Sequence, residues 1–118
     1  MAKVSVIKLT VGNEMTEAKK PNGNELMSIR EIELMALESL FLIAVNMQRD
    51  FKKMNICYDL VEEVRSIKPD TDCFKISTTE LKEFLIPAIE KSADNRPGPW
   101  YYARKMFKSI ESPEEIEV

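Results

Sequence analysis

From Ser28 to Lys68 the chain carries no proline and no glycine, and its apolar residues recur at helical spacing. One series is Ile32, Met35/Ala36, Leu40, Ile43/Ala44 and Met47; a second is Phe51, Met54, Cys57/Tyr58, Val61 and Val64. Ser28 and Glu31 stand at the spacing of a capping box, in which each side chain bonds the other's backbone amide. The polar stretch Asn46–Asp50 breaks the pattern and predicts two successive helices. Leu40 to Val45 is apolar on every side, and such a helix has to be covered from more than one direction. Two further helices would cover only part of that circumference. The remaining stripe predicts contact with another chain, a second copy included.

The segments around this region read differently. Residues 3–11, KVSVIKLTV, are β-branched and apolar and predict a strand. Asn22-Gly23 is a two-residue turn signal, and Glu25-Leu26-Met27 reads as a short return strand, so residues 1–27 predict a small β-hairpin. Pro69–Asp72 is a break, and Cys73–Ile76 a short extended piece. Ser77 and Glu80 form a second capping box, opening a helix with Leu81, Phe84/Leu85, Ala88 and Ile89 inward; Pro87 inside it predicts a kink or an early end. Pro99 suits the first position of a last helix with Trp100, Ala103, Phe107 and Ile110 inward. Ser112-Pro113 ends that helix, and residues 112–118 read as a frayed acidic tail. The expected architecture is one domain, 1–118, mainly α with an N-terminal hairpin (α+β), with about four helices over 28–111. Ile32, Leu40, Ile43, Phe51, Val61, Phe84, Leu85 and Phe107 are its expected core. Met35, Met47, Met54 and Met106 stand at core spacing, whereas Met15 and Met27 do not.

Composition narrows the function classes. With 118 residues, 44% hydrophobic and 31% charged, the chain is large enough for its own core. A net charge of −3 gives no general attraction to phosphate backbones. Histidine is absent, which removes the commonest general base and metal ligand. Cys57 and Cys73 are too few for a disulfide framework or a zinc site and read as buried small hydrophobes. No nucleophile has an evident partner, so catalysis is not expected, nor is a cofactor or metal. The apolar run at 40–45 is far short of a bilayer span, and the N-terminus lacks the apolar core of a secretion signal. Cytoplasm, without membrane attachment, is the expected location.

Two stretches invite a ligand. Asp70 to Leu81 superficially resembles a calcium loop, but with Ile76 in the eighth place and Glu80 in the twelfth, the first, third and fifth places fall on Pro69, Thr71 and Cys73. The glycine place falls on Phe74. A loop followed by a helix cap explains the segment better. Arg96 to Lys108, RPGPWYYARKMFK, interleaves aromatics with cations. Arg96, Trp100, Tyr101, Arg104 and Lys105 are its candidate partner-binding residues, since aromatic and arginine side chains dominate interfaces. The same mixture serves single-stranded nucleic acid, but helical spacing turns Trp100, Ala103, Phe107 and Ile110 inward and favours an ordinary solvated face of Tyr101, Arg104, Lys105 and Lys108 over both.

Asn22-Gly23 through Leu37, Tyr58–Val61 with Phe74–Leu81, and Ala103–Glu111 follow an order that resembles short accessory proteins encoded by tailed bacteriophages. The resemblance takes in about two-thirds of the chain; the proline-rich Arg96–Trp100 loop and the long apolar helix depart from it. It implies a small non-enzymatic protein, working in the host cytoplasm by binding a host or phage protein, in virion assembly or in blocking a host system. A nucleic-acid-binding regulator using the face at 96–108 is the alternative.

Overall fold

Ser28 begins the first long helix as the capping box requires. Its hydroxyl accepts from the Glu31 amide at 3.1 Å, and the Glu31 carboxylate accepts from the Ser28 amide at 3.2 Å. The computed structural model describes residues 2–118. In chain order it holds β1 (Lys3–Lys8), β2 (Met15–Lys19), β3 (Leu26–Ser28), α1 (Ile29–Met47), α2 (Phe51–Arg65) and β4 (Cys73–Ser77). Then come α3 (Thr78–Glu80), a π-helical turn (Leu81–Leu85), α4 (Ile86–Lys91), a 3-10 turn (Gly98–Ala103), α5 (Arg104–Glu111) and β5 (Glu114–Glu117). The fold is mixed α+β, with helix the larger share.

The strands pair differently from the expected hairpin. The turn at Asn22-Gly23 joins β2 to β3, not β1 to a return strand. β1 is instead the middle strand of an antiparallel sheet ordered β4-β1-β5. Both of its edges are taken by strands from the second half of the chain, with Ile7 opposite Phe74 and Val4 opposite Ile116. Gly12, at φ 106°, reverses the chain after β1, a conformation that favours glycine. The C-terminal segment is a strand rather than a frayed tail. Ile116 alternates with glutamates, Lys3 pairs with Glu115 at 3.7 Å, and the Val118 amide donates to the Ala2 carbonyl.

The core lies between the inner face of this sheet and the helices. Ser5, Ile7, Phe74 and Ile76 face inward, and Phe41 of α1 meets Phe74 with ring centroids 5.9 Å apart. Ile32, Leu40, Val61, Phe84 and Leu85 are buried as expected, while Ile43 and Phe107 are half-buried at the margin. Phe51 is 76% exposed. The buried stripe of α2 is Cys57, Leu60, Val61 and Val64. At about 100° per residue, Phe51 stands roughly 120° from Cys57, off that stripe. Met35 is exposed because Ala36 takes the inward position beside it, Met47 is exposed at the end of α1, and Met106 is buried. Met27 is also buried, carried into the core by β3. Cys57 is fully buried and Cys73 partly so.

Pro87 neither ends its helix nor stops it short. The Ile86 amide reaches back to the Leu81 carbonyl in a π-helical bond, which widens the turn ahead of the proline ring and lets the helix run on to Lys91. No helix among the described residues is long and apolar enough to cross a membrane.

Candidate protein-binding surface

The loop between α4 and the 3-10 turn is held at both ends. Ser92 donates its hydroxyl to the Ile89 carbonyl at 2.8 Å. Arg96 folds back over the same helix end, donating to Ser92 Oγ at 3.3 Å and to the Ile89 carbonyl at 3.1 Å. A cation over the last carbonyls of a helix is favourably placed against the helix dipole. Pro97 is extended (φ −59°, ψ 140°), and its carbonyl accepts the Trp100 amide at 3.1 Å. Pro97 and Pro99 each fix their own φ, and the Trp100 amide's bond to the Pro97 carbonyl closes the turn across Gly98 between them.

This stiff loop turns Trp100 inward. Its side chain is 9% exposed and meets Phe107 with centroids 5.7 Å apart and planes tilted by 33°. The Arg96 guanidinium stands 5.7 Å from the Phe107 centroid. Tyr101 points outward, with the Arg104 guanidinium 4.5 Å from its ring centroid and donating to its hydroxyl at 2.9 Å. Arg96, Trp100, Tyr101 and Arg104 therefore converge, and they line one shallow hollow of about 250 Å³ with Pro97 and Phe107. Lys105 does not join them. It lies round the helix, beside Lys8 and Lys108, on a separate hollow of about 370 Å³.

Trp100 and Pro97 also border two further hollows. The larger, about 780 Å³, is an open groove whose one wall is the outer face of α1 and whose other is the end of α4 with its loop. Leu42, Ile43 and Met47 supply the apolar wall, and Lys91 and Asn95 the opposite rim. A third hollow of about 220 Å³ continues from Trp100 towards Met35, Pro21 and Lys19 on the hairpin. Apart from Trp100, the groove residues are not among the candidates at 96–105. Their signal was present, since Leu42 and Ile43 belong to the run that is apolar all round.

Elsewhere the polar chemistry serves the fold. Arg30 is buried and donates to the carbonyls of Thr10 (2.9 Å), Thr71 (2.7 Å) and Lys68 (2.8 Å). Glu33, 1% exposed, accepts from the Thr10 amide at 2.7 Å and from its hydroxyl at 2.9 Å. Burial raises the Glu33 carboxyl above its ordinary range, while the Thr10 bonds and the Arg30 charge pull it partly back. The stretch that resembled a calcium loop is spoken for: the Thr71 carbonyl is bonded to Arg30 and the Asp72 carbonyl to the Leu9 amide. Ser77 caps the Glu80 amide at 3.1 Å. Among the described residues no group of three acidic or cysteine side chains could hold a metal ion. Burial pushes the Cys57 thiol up to about 11, with Glu80 and Glu83 adding to the shift. Such a thiol is a poor nucleophile at neutral pH.

Compared with protein-family models, with curated proteins and with solved structures, the chain matches none.

Proposed function

We propose that this is a non-catalytic accessory protein, of the kind that tailed phages encode, and that it acts by docking a protein partner in the groove between α1 and the 92–100 loop. One observation carries the reading: the groove of about 780 Å³ has an apolar wall, and Leu42 and Met47 are each 37% exposed on it. Concave, mostly apolar surfaces with a few polar groups at the rim are what ligands and anchor side chains occupy. The Pro97–Pro99 loop supports the same reading, because a wall that is already stiff loses little entropy when a partner is seated.

Binding of single-stranded nucleic acid has less support. Arg104 stands over the Tyr101 ring and Arg96 over the Phe107 ring, so two of the rings that would stack bases already carry cations.

Affinity capture from infected and uninfected host cells tests the proposal, with wild type set beside a Leu42→Asp, Met47→Asp double variant of unchanged circular dichroism. The expected result is a protein retained by wild type and lost from the double variant. Retention of the same proteins by both would overturn the groove as the docking site. Sedimentation of the same pair reads self-association, the case in which the partner is a second copy.

A further inference from the structure

The three hollows that meet at Trp100 and Pro97 share one electrostatic property. Among the described residues, no aspartate or glutamate lines any of them, although the chain holds 20 such residues and a net charge of −3. Four cations do line them: Lys19, Lys91, Arg96 and Arg104. Among the described residues, none of these four has a carboxylate within 4.0 Å, a property they share with nine other lysines and arginines; what sets them apart is that they border these apolar hollows. The surface thus combines an apolar floor with a cationic rim whose charges have no ion-pair partner.

Resting on the protein-docking reading, we infer that the occupant is an acidic amphipathic segment of a protein partner: apolar anchors in the groove beside Leu42, Met47 and Trp100, flanked by carboxylates that meet Lys91, Arg96 and Arg104. Rim charges of this kind select partners by sign and speed their encounter more than they add to affinity. The apolar wall supplies the burial, and the rim decides which amphipathic segment is accepted. Arg96 also caps α4, so its position on the rim is fixed rather than adaptable.

Trp100 is the chain's one tryptophan, so its fluorescence reports on the site directly. The probes are a synthetic amphipathic peptide with leucine and phenylalanine anchors and glutamates between them, the same peptide with each glutamate replaced by lysine, and an oligothymidylate. The acidic peptide should shift Trp100 emission and bind roughly tenfold more tightly than the lysine peptide at low salt, with the preference shrinking as salt rises. The Lys91→Glu, Arg104→Glu double variant, checked for an unchanged melting temperature, should reverse the order. Equal binding of both peptides, a preference for the lysine peptide or the oligothymidylate, or no response to the acidic peptide at millimolar concentration would each overturn the inference. If both peptides bind wild type equally and neither binds the Leu42→Asp, Met47→Asp variant, the groove stands and only its charge assignment falls. If that variant binds every probe as wild type does, the groove itself falls. A dimer that dissociates on Leu42→Asp would seat a second copy there and likewise displace the acidic segment.

Discussion

The two halves of α1 reverse the usual relation between polarity and burial. In the first half, Arg30 and Glu33 are charged and buried; in the second, Leu42 and Met47 are apolar and open. The difference lies in what each side chain meets. Arg30 finds three backbone carbonyls, and Glu33 finds both donors of Thr10. Buried charges are tolerated where hydrogen bonds replace the lost water. Leu42 and Met47 find no element among the described residues that covers them fully. The first half of the helix therefore clamps the chain after β1 to the chain before β4, and the second, whose Leu40, Phe41 and Ala44 are buried in the core, leaves its opposite face as a surface.

Substitutions can break this contrast, and the largest effect belongs to the residue that closes the open half. Trp100→Ala should destabilise the protein by about 3–5 kcal/mol in urea denaturation, as large aromatic truncations in cores do. A loss below about 1 kcal/mol would make Trp100 part of the open surface rather than its support. Arg30→Ala should cost about 3 kcal/mol, because three carbonyls lose a charged donor and Glu33 loses a nearby cation. Glu33→Ala should cost about 2 kcal/mol, whereas Glu33→Gln should change stability by less than about 1 kcal/mol, since an amide can meet both Thr10 groups.

The pH dependence sharpens the same point. Because burial raises the Glu33 carboxyl above its ordinary value of 4.5, the folded state holds that proton more tightly than the unfolded chain does. Its contribution is then fully present below about pH 4.5 and is lost as pH rises through the folded pKa. The stability difference between wild type and Glu33→Gln should move in favour of the glutamine variant on going from about pH 4 to about pH 7. Glu63 and Glu80 shift in the same direction, so the difference between the two proteins, not either raw curve, is the quantity to compare. The smallest effect is expected in the open half: Leu42→Asp should alter stability by no more than about 0.5 kcal/mol.

Most of the helices were legible because local signals set them. The capping serine at 28, the polar break at 46–50 and the cap at 77 each mark a boundary found in the structure. The strand order was not legible. β1 pairs with residues some seventy and more than a hundred positions away, and nothing local in KVSVIK distinguishes those partners from a nearby return strand. Periodicity also failed where two neighbours were both apolar. In Met35/Ala36 and Cys57/Tyr58 the pattern leaves the inward member open, and the smaller one lies inside in both pairs. Of the candidate residues, Arg96, Trp100, Tyr101 and Arg104 stand together, since the 3-10 turn carries Trp100 and Tyr101 and the two arginines flank it. Lys105 is one step further round α5 and faces elsewhere. The buried Arg30 and Glu33 left one usable trace: they fall on the same helical stripe as Leu37, Phe41 and Ala44.

The central position of β1 also sets an order of events during folding. Its Ser5 meets Thr78 across 73 residues of chain, and β5 closes the other edge from still farther along. Contacts so distant in sequence form late, after helices and the local hairpin. Until then β1 is a β-prone segment with two unpaired edges, the situation in which chains adhere to one another. Lys3 and Lys8 bracket it with charge, and both remain exposed in the finished fold. Charges flanking an unavoidable hydrophobic strand deter pairing between copies. Replacing both lysines with threonine should leave native stability little changed while lowering the yield of refolding at high protein concentration.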